Sequence, residues 1–234
     1  MTLAFVFPGQ GSQSVGMGQE LAAEFSAARA VLAEVDDALG QNLSGLMANG
    51  PIEDLTLTEN AQPALMATSL AVMRVLEAEF GISVTAAQFV AGHSLGEYSA
   101  LAAAGALTIS DAAKQAMMLP VSAPFHCAMM QPAADAMAEA LASTIILPPA
   151  VPVLANVTAR PTSDIEIIRR QLVEQVTARV RWRESVLWMV EEAGIKTLAE
   201  AGAGKVLTTM LKRTTKDANG VPLNVAADLE AFAA

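Results

Sequence analysis

The order of strand-like and helix-like segments in this sequence predicts an α/β fold, with a mostly parallel sheet and helices on both of its faces. Short apolar segments alternate with longer segments of helical spacing along the whole chain, as in parallel sheets whose strands are connected by helices. With 53% hydrophobic and only 16% charged residues among 234, the composition supplies a large core. No internal repeat interrupts the alternation. A single α/β domain over residues 1–234 is therefore expected.

The first half of the chain predicts two strands, each followed by a turn and a helical region. Apolar residues three and four positions apart predict the helices, and Gly81 is placed to end the second long one. The predicted strands are 3–7 and 88–91, and the predicted helices are 20–39, 60–80 and 97–104.

The second half continues the alternation after one abrupt junction. Residues 111–116 begin as a helix, yet residues 117–121 have the composition of a strand, with almost no connection between the two. Beyond this junction the predicted helices are 132–142, 165–176, 184–192 and 204–212, and the predicted strands are 151–157, 196–200 and 222–226.

Charge and hydropathy narrow the classes of function. A net charge of −10 argues against general nucleic-acid binding. No apolar run reaches the roughly 18 to 20 residues that span a bilayer, and no basic segment precedes the first strand. Neither a membrane association nor a cleaved signal peptide is expected, and the single cysteine, Cys127, fits a cytoplasmic location. The twelve basic residues from Lys114 onward either give one face a field that attracts an anionic partner or form an ordinary solvated surface.

The segment Gly92-His93-Ser94-Leu95-Gly96 matches the G-x-S-x-G pattern of a nucleophilic serine. A short apolar strand precedes it and a helix follows, which is the context that this pattern requires. The glycines allow a sharp turn that projects the Ser94 hydroxyl above the sheet. The backbone N–H of Leu95, at the start of the next helix, is the natural donor to a developing oxyanion. The sequence therefore predicts acyl transfer through a covalent ester of Ser94; the alternative interpretation is a glycine-rich turn whose serine caps the helix.

A serine nucleophile needs a base, and the chain contains two histidines. His93 adjoins Ser94 on the turn, so its ring should project away from the hydroxyl. His126 follows a predicted strand at the sheet edge that gathers site residues, and it is the expected base. Asn156, Glu200 and several backbone carbonyls remain open as the group that orients its imidazole.

The loop Pro8-Gly9-Gln10-Gly11-Ser12-Gln13 follows the first strand and should lie at the same sheet edge as Ser94. Its glycines allow close approach of the backbone to a ligand, and the N–H of Gln10 is the expected second oxyanion donor. The rival interpretation is a phosphate loop, but the Lys-Ser/Thr ending of that motif is missing.

Seven segments together resemble the malonyl-CoA:acyl carrier protein transacylase family of fatty-acid synthesis. They occur in the family's order and cover nearly the whole chain. The matching segments are residues 5–13, 60–65, 92–98, 120–126, 156–159, 180–182 and 202–207.

The resemblance implies a hydrolase-like α/β core and the roles of several residues. Ser94 would take a malonyl group from coenzyme A as an ester, and His126 would act as base and then as acid. The acyl carrier protein thiol would then accept the malonyl group. In this family backbone N–H groups that correspond to those of Gln10 and Leu95 form the oxyanion hole, and a main-chain carbonyl orients the histidine. Substrate-binding residues are expected at Gln62, Gly9 and His93, with a coenzyme A thioester as substrate, no resident cofactor or metal, and a monomeric protein.

One departure from the family pattern concerns the junction near 111–117. Family members carry several tens of additional residues there, which form a small ferredoxin-like subdomain over the cleft. Ser94 and His126 are only 32 positions apart, and no arginine lies between Arg74 and Arg160, so the family's arginine for the malonyl carboxylate is missing as well. A weakened, less selective enzyme that leaks toward hydrolysis is expected. The alternatives are a serine esterase or thioesterase, and a catalytically silent scaffold that binds the carrier protein.

Overall fold

A six-stranded sheet forms the centre of the computed structural model, which describes residues 2–117 and 126–234. Its strands follow the spatial order β4-β3-β2-β1-β5-β6, and β4 pairs antiparallel with β3 while the other pairs are parallel. This confirms the predicted mostly parallel sheet. The strands are β1 (Leu3–Phe7), β2 (Phe89–Gly92), β3 (Val153–Leu154), β4 (Pro161–Thr162), β5 (Thr197–Ala201) and β6 (Asn219–Leu223).

Helices cover both faces of the sheet, as the alternation predicts. The central strand β1 shows why, because its side chains point alternately to two separate apolar cores. Phe5 and Phe7 enter the larger core, and Ala4 and Val6 enter the smaller one. The helices are α1 (Gln19–Glu24), α2 (Ser26–Leu39), α3 (Leu43–Asn49), α4 (Ile52–Thr56), α5 (Thr58–Phe80), α6 (Gly96–Ala103), α7 (Ile109–Met117), α8 (Gln131–Ser143), α9 (Ile165–Thr177), α10 (Trp182–Leu187), α11 (Val206–Thr214) and α12 (Ala226–Ala233).

Helix α5 is the core helix that brings the first half of the chain to the site. Its residues from Ala61 to Met73 are all buried, so it lacks the polar face of a surface helix. It packs against α2, α6 and α7. Because α7 completes this layer, the junction predicted near 111–117 begins in a helix that is itself part of the larger core.

Several element boundaries differ from those predicted. The helix predicted over 20–39 breaks at Phe25, whose backbone is extended (φ −112°, ψ 127°). The strand predicted over 222–226 is wrong beyond Leu223, since the Asp228 carboxylate accepts hydrogen bonds from the N–H groups of Asn224 and Val225 and starts α12. In the strand predicted over 117–121, Met117 is the last residue of α7 and the rest lies outside the described residues.

The length and apolar character of the described helices decide whether any of them could cross a bilayer. None of those within 2–117 and 126–234 combines the length and the apolar character that crossing a bilayer requires.

Candidate active site

Ser94 lies at the turn between β2 and α6, in a backbone conformation that few residues other than glycine adopt. Its φ is 55°, which points the side chain away from the sheet. The two flanking glycines are required sterically, because a Cβ on Gly92 would overlap the backbone of Gly96, and a Cβ on Gly96 would overlap the Phe7 carbonyl. The G-x-S-x-G spacing thus lets the start of α6 pass directly over the ends of β1 and β2.

The structure brings His126 to Ser94 across 32 positions of sequence. Ser94 Oγ and His126 Nε2 are 2.8 Å apart. On the other side of the ring, His126 Nδ1 lies 2.8 Å from the Gln175 carbonyl and 3.1 Å from that of Ala178. With a proton on Nδ1 donated to these carbonyls, Nε2 presents its lone pair to the Ser94 hydroxyl.

The carbonyls that hold His126 are available because helix α9 ends there. The last carbonyls of an α-helix have no partner within the helix, and the C-terminus carries a partial negative charge. Both effects favour an imidazole N–H donor at this position. Of the other candidates for orienting the ring, Asn156 lies against the serine turn, and Glu200 accepts the N–H groups of Leu207 and Thr208 at the start of α11.

Gln10 and Leu95 line the same cavity as Ser94, and each carries a backbone N–H. Among the described residues neither N–H donates to a protein acceptor. Parallel pairing of Phe7 with Gly92 places the loop after β1 beside the serine turn. Gly9 allows this approach, since a Cβ there would overlap the His93 carbonyl. Two free donors, one of them at a helix N-terminus, suit a carbonyl oxygen that gains negative charge.

A cavity of about 210 Å³ opens in front of Ser94. Gln62, from the first turns of the buried helix α5, and His93 both line it, so these predicted residues are also brought together. No arginine or lysine is among the described residues that line it. The described residues around it are Gln10, Gln62, His93, Ser94, Leu95, Tyr98, His126, Gln175 and Val176.

His93 occupies a different environment from His126. Its ring stacks edge-on against Trp182, with 5.7 Å between the ring centroids. Burial, and then the nearby charge of His126, hold the pKa of His93 below its usual value. A neutral His93 is therefore suited to lining the cavity and not to carrying a charge there.

Tyr98 and Gln175 are cavity residues that the sequence analysis missed. Tyr98 follows Ser94 by four positions, which is one helical turn, and this spacing was the available signal. Burial, and then the Glu97 carboxylate, raise the pKa of Tyr98 well above its ordinary value, so its hydroxyl stays protonated. Gln175 contributes a backbone carbonyl, for which a sequence carries no signature.

Behind the serine turn, Asn156 and Glu97 form a buried polar pair. Asn156 Oδ1 accepts the Ser94 N–H at 3.2 Å, and Asn156 Nδ2 donates to the Gly92 carbonyl at 2.8 Å and also to the Glu97 carboxylate. The same carboxylate accepts the Asn156 backbone N–H at 2.8 Å. Burial raises the pKa of Glu97 to about 7, and the hydrogen bonds from Asn156 oppose that rise.

Several basic residues of the second half are engaged in contacts within the protein, and Arg160, which pairs with Glu192 at 3.4 Å, is one of them. Arg169 donates to the carbonyls of Leu141 and Thr144 at the end of α8, and Arg179 pairs with Glu184 at 3.1 Å. A positive field, one of the two interpretations of these basic residues, therefore depends on those that make no such contact. Within the described ranges, no cluster of three or more histidine, cysteine or acidic side chains could hold a metal ion.

Comparison with known proteins connects this site to one family. The model of the acyl transferase domain matches residues 4–120. The malonyl CoA-acyl carrier protein transacylase of Bacillus subtilis (strain 168) is 34% identical, over 92% of this chain and 90% of that protein. Its counterpart in Escherichia coli (strain K12) is also 34% identical, over 97% of this chain and 98% of that protein.

Solved structures agree with the sequence relatives. The acyl-carrier-protein-S-malonyltransferase of Bartonella henselae superposes with a TM-score of 0.95 at 40% identity, covering 99% of this chain and 98% of that chain. A malonyl-transacylase solved in complex with a type II PKS acyl-carrier protein superposes with a TM-score of 0.93 at 30% identity, covering 99% and 98%. At 234 residues the chain is shorter than its relatives, which fits a missing subdomain. This chain belongs to the malonyl-CoA:acyl carrier protein transacylase family of acyltransferases.

Proposed function

We propose that this protein transfers a malonyl group from coenzyme A to the phosphopantetheine thiol of an acyl carrier protein, through an ester on Ser94. The observation that carries the proposal is the 2.8 Å contact between Ser94 Oγ and His126 Nε2, beside the two free N–H groups of Gln10 and Leu95. The names of the relatives supply the acyl group and the two carriers. A coenzyme A thioester then acts as a substrate, and the reaction needs no resident cofactor.

In the first half-reaction, His126 Nε2 takes the proton of the Ser94 hydroxyl as Oγ attacks the thioester carbonyl. The carbonyl oxygen becomes an oxyanion and accepts hydrogen bonds from Gln10 and Leu95. When the intermediate collapses, the carbon–sulfur bond breaks, and His126 returns the proton to the coenzyme A sulfur. Ser94 then holds the malonyl ester.

The second half-reaction is the reverse sequence with another thiol. His126 takes the proton of the carrier protein thiol, whose sulfur attacks the ester carbonyl. The bond to Ser94 Oγ breaks, and the proton passes from His126 to the serine oxygen. Because the imidazolium forms in both halves, the carbonyls of Gln175 and Ala178 stabilise it twice in each cycle.

Gln62, Gly9 and His93 are proposed to bind the acyl group. Gln62 offers an amide from α5, and Gly9 keeps the Gln10 loop close to the serine turn. A planar guanidinium binds a carboxylate through two parallel hydrogen bonds, whereas these neutral groups cannot neutralise its charge. We therefore propose that the preference for malonyl over acetyl groups is weak, and that part of the ester is lost to water.

Two further properties belong to the same proposal. The chain is taken to be one α/β core, with the family's small subdomain missing at the junction near 111–117. The protein is taken to work as a cytoplasmic monomer that meets an acidic carrier protein. The family membership and the exposed basic side chains of the second half support the acidic carrier protein as the partner.

Intact-mass analysis after incubation with malonyl-CoA tests the proposal. The parent and Ser99→Ala, which removes another buried serine of α6, should gain one malonyl group, and Ser94→Ala should gain none. Adding holo acyl carrier protein should move the group to the carrier. Release of free malonate instead would favour the thioesterase alternative, and no adduct with no free coenzyme A would leave only the silent scaffold.

Selectivity is measured with malonyl-, acetyl- and butyryl-CoA at equal concentrations. A charged bidentate contact contributes about 1.5 to 3 kcal/mol, so its absence should leave kcat/KM for malonyl-CoA within about tenfold of that for acetyl-CoA. A preference of several hundredfold for malonyl-CoA would contradict the expected loss of selectivity without affecting the assignment of Ser94.

A further inference from the structure

Every polar atom of the Asn156 side chain is used, and the buried position leaves no water to compete. Its Nδ2 donates to Gly92 O and to Glu97, and its Oδ1 accepts from Ser94 N. Asn156 and Glu97 each expose only 2% of their surface. The Asn156 backbone is held as well, with its N–H on Glu97 and its carbonyl accepting the Arg181 N–H at 2.9 Å.

The partners of Asn156 determine which way its amide faces. A peptide carbonyl and a carboxylate are both acceptors, so the NH₂ group must face Gly92 and Glu97. The amide oxygen is then left for the Ser94 N–H. If the acceptor at position 97 were lost, the bond from Nδ2 to Glu97 and the bond from the Asn156 backbone N–H would both disappear. The amide would then be held only by the Gly92 carbonyl and the Ser94 N–H, so its position would be fixed less strictly.

The Ser94 N–H that Asn156 binds belongs to one of the three described non-glycine residues with positive φ. A non-glycine residue with positive φ is strained, and this conformation persists only where neighbouring contacts hold it. The bond from Ser94 to Asn156 is one such contact. It also directs the Ser94 N–H toward Asn156.

A carboxylate at this buried position is not needed to fill space. No cationic side chain among the described residues pairs with Glu97, and a buried unpaired carboxylate is costly. Its contacts go to Asn156 alone on the side facing the serine turn. Its position two residues into α6 ties that helix to the loop after β3, so the strand ends that form the site move together.

We propose that Glu97 is a positioning residue for acyl transfer: by fixing the Asn156 amide it holds Ser94 at positive φ, with Oγ within reach of His126 Nε2. The residue acts through Asn156 and does not touch substrate. The inference rests on the proposed function only for the identity of the acyl donor, since activation of Ser94 can be measured with other reagents.

The test compares Glu97→Met, which keeps a straight side chain without an acceptor, with Glu97→Gln, whose single amide oxygen can still accept both Asn156 donors. The matched control is Glu200→Met, because Glu200 is equally buried, binds two backbone N–H groups at the start of a helix and does not contact the serine turn. For each protein we would measure the single-turnover rate of Ser94 acylation by malonyl-CoA, the KM for malonyl-CoA and the folded fraction by circular dichroism.

Displacing a reacting group by about 1 Å can cost about 100-fold in rate. Glu97→Met should therefore acylate about 100-fold more slowly per folded molecule, with KM within about threefold of the parent, while Glu97→Gln restores the rate to within about tenfold. Glu200→Met should lose stability and keep the parent rate in its folded fraction. Should Glu97→Met fail to fold, Glu97→Asp decides, because it withdraws the acceptor by one methylene and should slow acylation by about tenfold.

The proposal would be overturned if Glu97→Met acylated at the rate of the parent or of Glu200→Met. It would also be overturned if Glu97→Met changed only the KM for malonyl-CoA, or if Glu97→Asp acylated at the parent rate. Labelling by a fluorophosphonate, which reacts with activated serines, separates this inference from the proposed function. If the parent ignores malonyl-CoA but labels at Ser94, the proposed function fails, and the labelling rates of the variants test Glu97 in the same way. A parent inert to both reagents overturns both proposals.

Discussion

Replacing Glu97 by glutamine should change how the stability of this protein depends on pH. Burial raises the pKa of Glu97 from 4.5 in its ordinary environment to about 7 in the folded protein. Between these values the folded protein retains a proton that the unfolded chain has lost, so raising the pH through this window removes stability. The effect is absent below pH 4.5 and complete above pH 7. At about 1.4 kcal/mol per pH unit, the loss from this one group is about 3 kcal/mol.

The measurement is urea unfolding of the parent and of Glu97→Gln, followed by circular dichroism at four pH values from 4.5 to 7.5. Subtracting the two free energies of unfolding cancels the groups that titrate in both proteins. The hydrogen bonds that glutamine makes less well than the carboxylate add a constant offset. The remaining difference should shift in favour of the glutamine variant by about 3 kcal/mol as the pH rises.

A pH-independent difference would refute the reasoning, because it would mean that Glu97 titrates at the same pH in the folded and unfolded chains. A difference that moves in favour of the parent as the pH rises would be equally decisive. That result would mean that the hydrogen bonds from Asn156 stabilise the carboxylate by more than burial destabilises it.

Two further predictions concern the serine turn. Gly96→Ala places a methyl group against the Phe7 carbonyl and should lower the free energy of unfolding by about 1 to 3 kcal/mol. The control is Gly40→Asn, because Gly40 lies in open space at φ 62°, and this change should alter the free energy of unfolding by under about 0.5 kcal/mol. Chemical denaturation of both variants checks the prediction. His93 has its pKa lowered from 6.5 by burial and then by the charge of His126, so the unfolded chain takes up this proton more readily and stability falls as the pH drops below 6.5. His93→Gln should make that acid-side fall less steep in thermal melts at pH 5 to 7, and an unchanged slope would contradict the argument.

Much of the fold could be predicted because its signals are local in the sequence. The alternation of strands and helices predicted a mostly parallel sheet with two covered faces, and the alternating burial of β1 agrees with it. Boundaries were less accurate where a single residue decides them. Asp228 ends the last strand by capping α12, and the extended backbone of Phe25 divides one predicted helix into two. Propensity alone does not register either effect.

Parts of the candidate site could be read from the sequence for the same reason. The strand, the two glycines and the helix around Ser94 are neighbours in the chain, and their steric requirements are visible in five residues. His126 followed from the small number of histidines together with its place after a predicted strand. Its roles and those of Ser94, Gln10 and Leu95 stay predictions until an acyl adduct is measured.

By itself, the sequence determined which chemical groups are available: one serine on a turn that must project it, two histidines, and no arginine between Arg74 and Arg160. Only the tertiary structure decided how these groups are oriented. The carbonyl of Gln175 that holds His126, and the amide of Asn156 that holds Ser94, act through positions set by the end of α9 and the end of β3. A backbone carbonyl is the same atom in every residue, and an asparagine amide can face either way. Their directions are fixed by packing and hydrogen bonding between segments far apart in the chain.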